Sequence, residues 1–123
     1  MKYHNRKTVV DGIVFDSRRE ARRYGELKLL ERIGRITELR LQVPFELVPV
    51  QRAISTSVYK RGAKAGQLKP GTVIESAVKY VADFTYIEDG KLIVEDTKGA
   101  KTKDYIIKRK LMLYIHNIKI REV

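Results

Sequence analysis

Asp83, Asp96 and Lys98 are the residues of this chain whose types and spacing could do chemistry together. The segments Tyr80–Ile87 and Lys91–Asp96 are rich in β-branched and aromatic residues and are joined through Asp89-Gly90, a strong short hairpin signal. With Asp89 and Gly90 as the two loop residues, Glu88 opposes Lys91, and counting down the ladder sets Asp83 opposite Asp96. Alternation places Asp96 and Lys98 on one face with Asp83, and Glu95 and Thr97 on the other. Directly opposed carboxylates repel and raise each other's pKa unless a cation sits between them. Mg²⁺, a hard ion held by one or two carboxylates plus water and phosphate, suits that gap. The plainer alternative is a solvated surface hairpin whose charges merely flank apolar residues.

Such a site would suit phosphodiester hydrolysis, which needs an activated water and neutralisation of the charge developing on phosphate. Lys98 would orient or deprotonate the water, or hold the phosphate. Burial lowers an amine pKa while nearby carboxylates raise it, so base and clamp both stay open.

These elements resemble a known family pattern. Asp83, a hairpin, then Asp96-Thr97-Lys98 resembles the PD-(D/E)xK signature of the restriction-endonuclease-like nuclease superfamily, with Ala82 in place of the signature's proline. Ser17-Arg18-Arg19-Glu20, Leu41-Gln42-Val43-Pro44-Phe45-Glu46-Leu47 and Lys108-Arg109-Lys110-Leu111 extend the similarity, over most of the chain, to small phage-encoded nucleases of that superfamily. The resemblance implies an α/β fold with a restriction-endonuclease-like core, a mixed sheet flanked by helices. It also implies a Mg²⁺-dependent DNA endonuclease, with Mn²⁺ able to substitute and no small-molecule cofactor. Asp83 and Asp96 would hold the metal, Thr97 would add its backbone carbonyl, and Glu20 would reach the site from the first helix. With so little protein around the site, a homodimer cutting branched or recombination DNA, as Holliday-junction resolvases do, is the expected form.

Glu20 has a second reading, because Ser17-x-x-Glu20 is also a capping box in which the glutamate bonds back to the cap's own amide. One carboxylate cannot fill both roles at once.

Composition sets the outer bounds. The 123 residues fit one domain with a single core. Twenty-six lysines and arginines against 15 aspartates and glutamates give a formal charge of +11, which favours a polyanionic partner, DNA first. There is no cysteine, so disulfides, thiol nucleophiles and zinc-thiolate sites are excluded. No apolar run is long enough to span a bilayer and Met1–Val10 does not read as a signal peptide, so a cytoplasmic protein is expected, in the host cytoplasm if phage-encoded, with no membrane partner.

Val9–Val14, around Asp11-Gly12, is a second hairpin candidate. Ser17 opens a helix reaching to about Ile33, with Gly34 as its left-handed stop and Ala21, Tyr24, Leu27 and Leu30 as its apolar stripe. Arg18, Arg19, Arg22 and Arg23 spread around that helix, and Arg19 and Arg23 are the pair expected to meet phosphate. Ile36–Val48 alternates with a clean period of two, apolar at Leu39, Leu41, Val43, Phe45 and Leu47. Residues 51–71 break the pattern and read as a flexible basic loop, either a floppy connector or a flap contacting DNA through Lys60, Arg61, Lys64 and Lys69. Thr102 caps a helix running to about His116, with Ile107, Leu111, Tyr114 and Ile115 expected on its buried side. Lys103 and Lys110 lie on one line of it and are further candidates for DNA. Ile118–Arg121 reads as a last strand, laid parallel to the Asp96 strand by a right-handed crossover. The expected order is helix, three strands, helix, strand after the N-terminal hairpin. His4 and His116 are assigned no role.

Two other functions compete. One is a non-catalytic nucleic-acid-binding module whose acidic cluster is degenerate. The other is a basic ribosome-associated protein, which predicts stacking aromatics on a sheet face. Tyr80, Phe84 and Tyr86 alternate opposite Asp83, and burial under helices explains them equally well.

Overall fold

The computed structural model of the protein describes residues 6–123, so His4 lies outside the described residues. The architecture is mixed α/β: two helices and a four-stranded mixed sheet, with two small strand pairs. In chain order the elements are β1 (Thr8–Val10), β2 (Ile13–Phe15), α1 (Arg18–Arg32), β3 (Thr37–Val48), β4 (Gln51–Arg52), β5 (Val73–Glu75), β6 (Val78–Glu88), β7 (Lys91–Asp96), α2 (Lys103–His116) and β8 (Arg121–Glu122). The main sheet runs β3-β6-β7-β8, with β6 and β7 antiparallel and β8 parallel to β7. That parallel pair places Glu95 beside Arg121 and Asp96 beside Glu122.

Two compact units divide the chain, one of residues up to Phe45 with Val81–Val123, the other Glu46–Tyr80. The core of the first is built on α1. Ser17 caps the helix by accepting from the Glu20 amide at 3.1 Å, and Gly34 leaves it at φ +79°. Ala21, Tyr24 and Leu27, spaced to share one helix face, are buried against Phe15, Ile36, Phe84 and Tyr86, with Leu39 and Leu41 of β3 packed beside them. The β1–β2 hairpin turns at Asp11 and Gly12, both at positive φ, and lays Phe15 on Tyr24 with ring centroids 5.0 Å apart. Tyr80, Phe84 and Tyr86 are all buried, which removes them as a stacking platform for bases.

On α2 the expected inward face is corrected. Tyr105 and Met112 are the buried residues, while Ile107 and Ile115 are exposed and Tyr114 is 87% exposed. The helix is apolar on several sides, so periodicity alone does not orient it. The aromatic ring at 105 and the thioether at 112, one heptad apart, are buried instead.

The stretch from Gln51 to Gly71 also differs from a structureless loop. In the second unit β4 pairs antiparallel with β5. Beyond that pair, Val58 bridges Leu68, Tyr59 N–H donates to the Gln67 carbonyl at 2.9 Å, and Gly66 N–H donates to the Tyr59 carbonyl at 2.8 Å. These contacts make a basic β-arm whose cations were legible and whose pairing was not, because its apolar residues do not alternate. Gly71 is required where the two sides of the arm approach, since a Cβ there would collide with the Ala53 carbonyl.

Candidate active site

The site begins at a turn. Asp89 and Gly90 sit at φ 51° and 76°, the paired left-handed conformation of a type I′ hairpin. From it the ladder runs Glu88 with Lys91 through Phe84 with Glu95, as the expected register requires. Asp83 and Asp96 occupy the next position, where Asp83 Oδ2 accepts from the Thr97 backbone N–H at 2.8 Å. Thr97 therefore enters the site through its amide N–H, and its buried Oγ1 has no hydrogen-bond partner among the described residues.

Asp96 is 1% exposed and its Oδ1 lies 3.1 Å from Lys98 Nζ. The same ammonium stands 4.6 Å over the centroid of Tyr105, so α2 roofs the lysine with a ring face. Tyr105 is anchored in turn, its hydroxyl donating to Glu122 Oε2 at 2.7 Å, where Arg109 and Lys101 also converge. Burial and then that glutamate push the Tyr105 hydroxyl pKa well up, so it remains a donor.

Glu20 joins from α1. It is 7% exposed and its Oε1 accepts from Gln42 Nε2 at 3.0 Å, so the carboxylate faces β3 and does not serve as the second half of a capping box. Gln42 Nε2 also lies 3.5 Å from Asp83 Oδ1. Three acids from α1, β6 and β7 thus share one electrostatic neighbourhood. Burial raises the Glu20 pKa, with Asp16 and Asp96 adding to it. Burial and then Asp96 push Asp83 up to about 7.

Among the described residues no three His, Asp or Glu side chains stand close enough to enclose a cation as they are. The donor set nevertheless fits one. Its acids offer oxygen donors and carry more negative charge than Lys98 offsets, and burial together with Asp96 keeps Asp83 protonated towards neutral pH.

Other expected residues separate. Arg19 is exposed, with its guanidinium beside Gly99, just past Lys98. Arg23 is a correction: its guanidinium turns inward and holds Glu95, with Nε to Oε2 and Nη2 to Oε1 both at 2.8 Å. Glu95 is fully buried and also accepts from the Tyr86 hydroxyl at 2.6 Å, so it requires that arginine. Lys103 and Lys110 are exposed on α2. Lys60, Arg61, Lys64 and Lys69 are exposed on the arm, where Lys64 and Lys69 flank the Tyr59 ring at 5.8 and 5.7 Å. His116 packs edge-on against Phe45.

Sequence reasoning missed three residues. Gln42 carried one signal, a polar side chain on the outward face of an otherwise regular strand. Glu95 carried another, an acid facing the core beside Val94, which demands a cation. Tyr105 gave none beyond its place in the first turn of α2.

With this geometry in place, comparison with known proteins adds a family. The chain belongs to the DUF1064 family. The match covers residues 1–122, and the family is described as a protein of unknown function. No curated protein and no solved structure matches the DUF1064 chain. Among its described residues no helix is long and apolar enough to cross a membrane.

Proposed function

We propose that this chain is a Mg²⁺-dependent DNA endonuclease with a restriction-endonuclease-like core, acting in the cytoplasm. The observation that carries the reading is the convergence of Glu20, Asp83 and Asp96 from three elements beside Lys98, with Asp83 pushed up to about 7 by burial and its neighbours. A fold has little reason to bury repelling carboxylates together unless a cation joins them. Asp83 and Asp96, with Glu20, would hold Mg²⁺ or Mn²⁺. When bound, the ion supplies the positive charge that polarises a phosphodiester and acidifies a water.

The remaining work falls to the chain's own groups. Lys98, held between Asp96 and the Tyr105 ring, presents an ammonium to the phosphate or the attacking water. Tyr105 limits where that amine can swing, which is the positional control hydrolysis needs. Arg19 beside Gly99 and the exposed lysines of α2 supply positive charge for the DNA backbone. The arm carries Lys60, Arg61, Lys64 and Lys69 for the same use. By the resemblance, four-way or other branched DNA is the proposed substrate and a homodimer the working form, each subunit cutting one strand.

The test is incubation of the protein with duplex, single-stranded and four-way DNA, with Mg²⁺ and with EDTA, beside Asp96→Asn. Cleavage that needs Mg²⁺ and disappears in the variant supports the reading. Tight binding without cleavage in any metal would leave a non-catalytic binding module, the alternative that the basic arm favours.

A further inference from the structure

The amide of Gln42 is the unassigned group nearest the acids. One nitrogen, Nε2, faces carboxylate oxygens from two different elements, Glu20 Oε1 at 3.0 Å and Asp83 Oδ1 at 3.5 Å. It therefore occupies ground on which a positive charge would be held by both acids. The backbone beneath it is unusual as well. Gln42 lies inside β3 at φ 52°, a left-handed conformation that strains a non-glycine residue. Glu38 shares that conformation at the start of the strand, but only Gln42 carries a side chain to the acids.

Resting on the metal reading above, we infer that Gln42 is a reversible amide. Its NH₂ bridges Glu20 and Asp83 in the metal-free protein, and its carbonyl oxygen turns inward as a neutral ligand when a divalent cation binds. A half-turn about the last side-chain bond exchanges NH₂ for C=O at nearly constant volume. The two states match the two charge conditions. Without a cation the acids require donors, which NH₂ supplies. With one bound, an N–H pointing at the ion is repelled, whereas an amide oxygen is a hard ligand of the kind Mg²⁺, Mn²⁺ and Ca²⁺ accept. The residue thereby spares the pocket bare repulsion when empty and adds an oxygen without adding charge when filled.

The test measures metal, not cleavage. Calorimetric titration of the DNA-free protein with Mn²⁺ should show Gln42→Met, which keeps length and loses the oxygen, binding about tenfold more weakly than wild type. Gln42→Glu, which restores an oxygen, should bind at least as tightly as wild type. In wild type, the side-chain NH₂ resonances of Gln42, assigned by their loss in Gln42→Met, should move on addition of Ca²⁺ as the bonds to Glu20 and Asp83 break. Equal or tighter Mn²⁺ binding by Gln42→Met, or NH₂ resonances that ignore the cation, would overturn the ligand role and leave the metal site standing. A wild-type protein that binds no Mn²⁺ would remove both.

Discussion

Arg23 grips Glu95 through both carboxylate oxygens, and this pair bolts the helix bearing Glu20 to the strand bearing Asp96. Arg23 follows Glu20 by one helical turn, and Glu95 precedes Asp96 by one residue on the opposite face of β7. Two expected site residues therefore inherit their separation from a contact outside the site. Because Glu95 is fully buried, removing the arginine leaves an unpaired charge in the core. Arg23→Met should cost about 3 kcal/mol or more by urea denaturation, and adding Glu95→Leu should recover most of that loss. A double variant no more stable than Arg23→Met would show that the pair does not act as a unit.

Glu20→Gln separates the two roles of that residue. The Ser17 cap uses the Glu20 backbone amide, which the substitution keeps. Helix stability should therefore hold and the melting temperature should stay level or rise as repulsion falls, while Mg²⁺-dependent cleavage drops by a large factor. A lower melting temperature with normal cleavage would return Glu20 to a purely structural part.

The pH dependence follows from Asp83. Its carboxyl sits at about 7 in the folded protein against an ordinary value of 3.8, so between those two pH values the folded state binds more protons than the unfolded one. Stability contributed by this group is then greatest below pH 4 and is lost as pH rises towards 7. In metal-free buffer the melting temperature of Asp83→Asn relative to wild type should increase from pH 4 to pH 7 and level off above that, and Mg²⁺ should narrow the gap at pH 8. A constant difference across that range would contradict the assignment.

Replacing Lys60, Arg61, Lys64 and Lys69 by alanine should flatten the salt dependence of DNA binding, by roughly 0.9 in the slope of log K against log salt per lost duplex contact. Ladder bonds at Tyr59, Gly66 and Gln67 are backbone contacts and survive the change, so the arm's fold should persist. An unchanged slope would take the arm off the DNA-binding surface and leave Arg19 as the next candidate.

The fold was legible wherever a local rule was sharp. Asp-Gly turns located both hairpins, Ser17 and Thr102 marked both helix starts through side chains that accept from Glu20 and Tyr105 amides, and period-two alternation marked β3. Counting from Asp89-Gly90 brought Asp83 and Asp96 to one level. What stayed hidden depends on long-range pairing: the inward turn of Arg23 needs knowledge that Glu95 is buried, and the face of α2 is decided by Tyr105 meeting Lys98. Gln42 was visible only as a polar strand residue, because nothing local says which neighbours it reaches.

The hairpin turn also works as a parity device. Asp83 and Asp96 stand at one level because equal numbers of residues separate each from the Asp89-Gly90 loop. Lengthening both arms by the same amount moves the turn outward and leaves the carboxylates opposed. A single residue added to one arm inverts every later side chain on it, exchanging the two buried faces of β7 so that Asp96 leaves Asp83 and Lys98 and Glu95 leaves Arg23. Length variation in this part of the chain is therefore tolerable only when it is symmetric about the turn, and the exposed loop at Asp89 and Gly90 is where a balanced insertion or a reporter group can enter without reaching the acids.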